Sequence, residues 1–256
     1  MLVHMPIALP PLNVAGVAIT AAQLLVVATS HGQEASGAMS TPYSKFAGER
    51  ARQPRPVASR AGMLLIYAPA AVVSALAAGA ARPSLAAGLL AAHFAKRVLE
   101  TLCVHRYSGT MPLPVAAFIS VYYACVALGI SAVAAPAPAC ARAATALFAV
   151  GAGGNLFHHC LLARLRAPSA AAAEAAREYK PPAGGLFELV AAPHYLFELV
   201  GWFGIALAAE HLNALLVALC MSSYLSGRAV ATSRWNSEKF GRAWPASRGH
   251  LVPFLF

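Results

Sequence analysis

The chain has 256 residues, 59% of them hydrophobic and only 11% charged, with nineteen basic residues against nine acidic ones for a net charge of +10; its mean hydropathy is +0.62. A soluble domain carries about 25% charged residues, so the composition excludes a water-covered globule and points to an integral membrane protein. All nine acids are glutamate, which excludes aspartate-based triads and aspartate metal ligands, and the basic residues are spread along loops rather than gathered for nucleic acid.

Apolar windows with helical spacing fall at about 8–30, 62–81, 84–104, 113–135, 140–163, 186–209 and 211–231, each near the ~20 residues that cross a bilayer. They predict an all-α, polytopic membrane protein of about seven transmembrane helices. Residues 1–83 form an N-terminal membrane segment of two helices with a basic loop, and residues 84–256 one catalytic unit. "MLVHMPIALPPLNVAG" lacks the basic start of a signal peptide, and "VAGVAITAAQLLVVATS" reads as the first span. The Ala-rich run 167–180 reads as a loop insertion, and Pro181-Pro182 with Gly184-Gly185 predicts a new helix near Leu186.

Seven spans place Lys45, Arg50, Arg52, Arg55 and Arg60, then Lys96, Arg97 and Arg106, on one side of the membrane. Arg164, Arg166, Arg177 and Lys180 join them, followed by Arg228, Arg234, Lys239, Arg242 and Arg248. Only Arg82 and Arg142 of the nineteen remain for the other side. The basic side is cytosolic by the positive-inside rule, which sets the N-terminus in the lumen and the C-terminus in the cytosol.

Ionisable groups inside spans cost at least ~2.5–3.5 kcal/mol each, so they face a bundle interior or a cavity. Four clusters interrupt the apolar windows. In "HFAKRVLETLCVHRYSGTMP", His93, Lys96, Arg97 and Glu100 recur at three and four residues, as one polar stripe. That stripe reads either as a helix end with snorkelling cations or as a cationic pocket for phosphate. In "GNLFHHCLLARLR", Asn155 and His159 share a face, with Arg166 towards the cytosolic rim; "GAGGNL" is no dinucleotide fingerprint, because its sixth position is Leu156 and it lies inside a helix. "PHYLFELVGW" sets His194 and Glu198 on one face, and "YLSGRAVATSRWNSEKF" carries Arg228 and Arg234. The histidines lack the repeated HxxHH spacing of a di-iron site and the five cysteines form no CxxC pair, so no metal is expected.

The motifs "HFAKRVLETLCVHRYSGTMPL", "GNLFHHCLLARLR", "GGLFELVAAPHYLFELVGW" and "GRAVATSRWNSEKF…PASRGHLVPFLF", in this order, resemble the steroid 5α-reductase family, whose C-terminal domain is shared with polyprenol reductases and trans-2-enoyl-CoA reductases. "YSKFAGE" and "SRAGMLLIYAPA" look like the plant and algal branch. The resemblance implies a membrane enzyme of the endoplasmic reticulum that uses NADPH to saturate a carbon–carbon double bond conjugated to a carbonyl. Its substrate would be a hydrophobic lipid of sterol, polyprenol or enoyl-CoA type.

Carried over by position, it assigns Tyr67, Lys96 and Glu198 to catalysis. It assigns Arg97, Asn155, His159, Arg166, Tyr179, His194, Glu198, Arg228 and Arg234 to the cofactor, with His105 and Arg106 nearby. The Glu–Tyr pair that steroid reductases place at the substrate carbonyl corresponds here to Tyr67 and Phe94. Asn236 stands where a tyrosine is usual, and His194 where steroid enzymes have asparagine. The competing readings are a membrane methyltransferase of the isoprenylcysteine type, which would bind S-adenosylmethionine instead, and a non-enzymatic scaffold or transporter.

Overall fold

The computed structural model describes residues 7–38, 41–42, 44–46, 52–166 and 180–256, so Tyr179 and most of the Ala-rich run lie outside the described residues. Among the described residues, seven α-helices account for the seven apolar windows. Helix α1 spans Val14–Ser36, starting later than its window because Asn13 caps it, accepting from the Gly16 amide at 2.8 Å. Gly37 closes it at a φ of 78°. Strand β1, Pro56–Ala58, leads into α2, Ser59–Ala78. Helix α3, Leu85–Leu99, runs on into a π turn over Glu100–Val104, closed by the His105 amide donating to the Glu100 carbonyl at 2.8 Å. Strand β2, Thr110–Pro112, pairs antiparallel with β1, Val57 opposite Met111, and so ties the entry of α2 to that of α4, Leu113–Val133.

Helix α5 covers Ala141–Leu165 and α6 covers Pro193–Ala209. The start of α6 corrects the expectation of a helix from Leu186. Gly184 and Gly185 both take positive φ, a 3-10 turn occupies Gly185–Glu188, and the amides of Ala191 and Ala192 donate to Gly249 and His250 in the C-terminal segment. Pro193, with no amide hydrogen to lose, then opens the helix at its first turn. Helix α7, Leu212–Phe240, extends nine residues beyond its window.

Helix α5 lies along α6, α1 along α7, and α2 between α3 and α4. Small residues allow these approaches: a Cβ on Gly204 would meet the Phe148 backbone nitrogen at 2.7 Å, and one on Gly151 would collide with the Gly201 backbone. Large apolar side chains face outward, among them Leu24 and Leu25 of α1, Leu76 of α2, Phe118 and Leu128 of α4, and Val150 of α5. The interior instead holds Glu34, Glu100, Asn155, His159 and Arg228. Apolar outside and polar inside is the arrangement that lipid, not water, stabilises. Helices α1, α2, α4, α5 and α7 are each long and apolar enough to cross a membrane. Helices α3 and α6 are shorter, at 15 and 17 residues, and the π turn carries α3 on to Val104. The protein is an all-α polytopic membrane protein.

Candidate active site

The polar stripe of α3 faces α5 and α6 rather than a membrane interface. Lys96 Nζ donates to Asn155 Oδ1 at 2.5 Å and lies 2.7 Å from Glu100 Oε1. The Asn155 amide donates to the His194 carbonyl at 2.8 Å and to Glu198 Oε2 at 3.0 Å, while His93 Nε2 stands 3.5 Å from Glu198 Oε1. Asn155 therefore fixes the α6 carboxylate that the four-residue spacing of His194 and Glu198 put on an inward face.

Arg97 reaches the other way. Its Nη1 pairs with Glu100 Oε2 at 2.8 Å, and its Nη2 donates to the Tyr67 hydroxyl of α2 at 2.5 Å. The guanidinium also sits 4.7 Å from the Tyr67 ring centroid. A cavity opens beside this network, lined by Tyr67, Arg97, Asn155, His159 and Glu198 together with Tyr123, Tyr195, Met221, Tyr224 and Leu225. Six of the seven helices contribute to its wall.

His159 joins the two halves. Its Nδ1 lies 3.1 Å from Glu100 Oε1 and 3.2 Å from Arg97 Nη1, and its ring is 4.6 Å from that of His105 and 5.5 Å from that of His194. Burial, then the charges of His159 and Arg97, push the His105 imidazole down to about 3. Glu100, His105 and His159 bring potential ligand atoms within 4.8 Å of one another. Both Glu100 oxygens are already held by cations, however, and that disfavours a divalent ion there.

The stripe is electrically balanced: Lys96 and Arg97 face Glu100 and Glu198, so it offers no surplus charge for phosphate. Surplus charge lies one to three turns further along α7. Buried Arg228 pairs with Glu34 of α1 at 3.1 Å and donates to the Thr41 carbonyl at 2.8 Å. Glu34 in turn accepts from the Thr41 amide and hydroxyl. Lys45 stands over the Trp235 ring at 4.6 Å. Burial, then the charges of Arg228 and Arg166, push its ammonium down to about 7. A half-buried ammonium beside two guanidinium groups favours an anion as its partner.

Tyr67, Lys96, Arg97, Asn155, His159, His194 and Glu198 thus converge. Arg228 stands in the adjoining cationic cluster, whereas Arg166 is exposed, its Nη1 donating to the Arg106 carbonyl at 3.0 Å, and Arg106 and Arg234 are exposed. On α7, Arg234 lies six positions after Arg228, about a third of a turn out of phase, so the two point in different directions. Sequence reasoning left Glu100, Glu34, Lys45, Tyr195 and the apolar lining out of the site. Lys45 lay within the quoted "YSKFAGE", and Tyr195 within the quoted "PHYLFELVGW".

A family model described as 3-oxo-5-alpha-steroid 4-dehydrogenase matches residues 115–256. The very-long-chain enoyl-CoA reductase of Dictyostelium discoideum is 32% identical over 170 residues, 64% of this chain and 55% of that protein. The 3-oxo-5-alpha-steroid 4-dehydrogenase 1 of Rattus norvegicus is 41% identical over 110 residues, 43% of this chain and 40% of that protein. The steroid 5-alpha-reductase DET2 of Solanum lycopersicum is 38% identical over 78 residues, 30% of each chain. The matched part of the chain spans about half the length of the first of these relatives and less of the others.

Proposed function

The chain belongs to the 3-oxo-5-alpha-steroid 4-dehydrogenase family, and from that membership we propose that it is an NADPH-dependent reductase that saturates a carbon–carbon double bond conjugated to a carbonyl in a lipid. The observation that carries the reading is the shared cavity, where a phenol, a guanidinium, an imidazole, an amide and a carboxylate from four helices meet below the bilayer-facing surface. The membrane would be that of the endoplasmic reticulum, with the N-terminus lumenal and the basic loops cytosolic. Residues 84–256 would form the catalytic unit, completed by Glu34 and Tyr67 from the two-helix segment 1–83.

The donor set fits the cofactor. Arg97 Nε and His194 Nδ1 are buried with no hydrogen-bond partner, and both border the network around the cavity. Asn155, His194 and Glu198 would hold the amide and ribose hydroxyls, because a carboxylate fixed by an asparagine accepts from both. Lys45 and Arg228 would hold phosphates. NADPH, when bound, supplies a hydride for the β-carbon.

The chain's own residues then have two tasks. Arg97 donates to the Tyr67 oxygen, so the phenol hydrogen can be given to a substrate carbonyl and stabilise the negative charge that grows there. Phe94, fully buried against Tyr123 and Trp202, brings no hydroxyl, which leaves this duty to Tyr67. The helical wall keeps water from the reacting carbons. Either a trans-2-enoyl-CoA or a 4-en-3-one steroid offers the required conjugation.

Purified protein, titrated separately with NADPH and S-adenosylmethionine, should bind only NADPH, and should oxidise it when given one of those two substrates. Glu198→Gln should weaken NADPH binding by on the order of tenfold, the loss of one charge-assisted hydrogen bond. Unchanged binding in that variant would remove Glu198 from the site.

A further inference from the structure

The proposed reaction consumes a proton as well as a hydride, and the cavity is walled by helices, so the proton needs a route from water. Resting on the reductase reading, we infer that His105 and His159 form that route, with Glu100 and Arg97 matching the two protonation states of His159. The carrying observation is the double partnership of one nitrogen: His159 Nδ1 is 3.1 Å from Glu100 Oε1 and 3.2 Å from Arg97 Nη1. A carboxylate only accepts and a guanidinium only donates. An Nδ1 that carries hydrogen is satisfied by Glu100, and a bare Nδ1 is satisfied by Arg97. The imidazole therefore gains or loses a proton without turning its ring. A histidine placed for packing needs one such partner, not two of opposite kind.

His105 stands behind it on the loop after the π turn, half-buried, its ring edge-on to His159 at 4.6 Å. A nitrogen of each ring and an oxygen of Glu100 lie within 4.8 Å of one another, a gap that a single water bridges. The loop is held from both sides: the His105 amide donates to the Glu100 carbonyl, and Arg166 grips the Arg106 carbonyl. The ionisable groups around the pair are Lys96, Arg97 and Glu100 from α3 and its π turn, His159 and Arg166 from α5, and Tyr107 from the loop itself. His194 of α6 lies beyond His159. With its imidazole held down to about 3, His105 is neutral at pH 7 and passes a proton without storing it.

The step balances. Bound NADPH would supply the hydride for the β-carbon and be oxidised to NADP⁺. The alkene electron pair moves to the α-carbon as the enolate, which takes one proton from the His159 imidazolium and leaves a neutral imidazole. His159 is reloaded through His105, and His105 from solvent.

The test compares wild type, His105→Ala and His105→Gln in NADPH oxidation with a trans-2-enoyl-CoA and with a 4-en-3-one steroid, with and without added imidazole, alongside NADPH fluorescence titrations. Both variants should lose turnover by on the order of a hundredfold while NADPH affinity stays within about twofold, and imidazole should restore part of the rate in His105→Ala alone. Unchanged turnover in either variant, or a loss in His105→Ala that imidazole leaves untouched, overturns the route. A wild type that oxidises no NADPH with either probe overturns the reductase reading itself, and the route with it.

Discussion

Lys96 Nζ lies 2.5 Å from Asn155 Oδ1, a bond that joins α3 to α5 across 59 residues of sequence. The other end of the same amide donates to Glu198 on α6. Asn155, 2% exposed, is thus a neutral group between a partly buried cation and a partly buried anion. Asn155→Leu keeps the volume but removes a bond each from Lys96, Glu198 and the His194 carbonyl, at about 1–3 kcal/mol for a group left unsatisfied. The expected outcome is a lowered melting temperature together with weaker NADPH binding, read by thermal unfolding and fluorescence in detergent. A variant as stable as wild type would show that water replaces the amide.

Tyr67→Phe keeps the ring beneath Arg97 and removes only the hydroxyl. If that hydroxyl polarises the substrate carbonyl, kcat should fall by about a hundredfold or more, as for loss of one oxyanion donor, while NADPH affinity holds. Steady-state kinetics at saturating NADPH read this directly. A change confined to KM would assign Tyr67 to binding alone.

Lys45 gives a pH signature. Its ammonium is charged below about 7 and neutral above it, so attraction for a cofactor phosphate is present at pH 6 and fades as pH rises past 7. NADPH affinity should therefore drop between pH 6 and 8, and binding near pH 7 should take up protons, measurable by calorimetry in buffers of different ionisation enthalpy. Lys45→Arg, which stays charged, should flatten the profile, and Lys45→Ala should give weak binding at every pH.

The contact of α5 with α6 separates tolerant from intolerant glycines. Gly204→Ala sets a methyl 2.7 Å from the Phe148 nitrogen, whereas Gly153→Ala meets nothing within 4 Å. The first should cost about 1–3 kcal/mol through overpacking. The second should be neutral or stabilising by up to about 1 kcal/mol through helix propensity. Folded yield and melting temperature in parallel preparations distinguish them.

Much of this was legible in the sequence, because hydropathy reports where lipid is and ionisable residues inside apolar windows report where lipid is not. The spacings of His93, Lys96, Arg97 and Glu100, of Asn155 and His159, and of His194 and Glu198 each named a face, and those faces meet. The charge balance among them was not legible, since spacing on one helix says nothing about which carboxylate another helix brings. The stripe of Lys96, Arg97 and Glu100 therefore reads either as snorkelling cations or as a phosphate pocket, and only the packing of α6 sets Glu198 opposite it. Lys45 and Glu34 were hidden for a related reason: only the packing of α1 on α7 turns them inward. The start of α6 was missed because the Ala191 and Ala192 amides donate to the carbonyls of Gly249 and His250, a pairing with no local trace.

The ion pair of Glu34 with Arg228 spans 194 residues, and that distance has a consequence for how the molecule is made. While the middle of the chain is still being made, α1 carries a carboxylate whose Arg228 partner has not been synthesised. The chamber closes only when the seventh helix arrives. A chain halted before that point lacks the Arg228 guanidinium that Glu34 meets at the C-terminal end of α1.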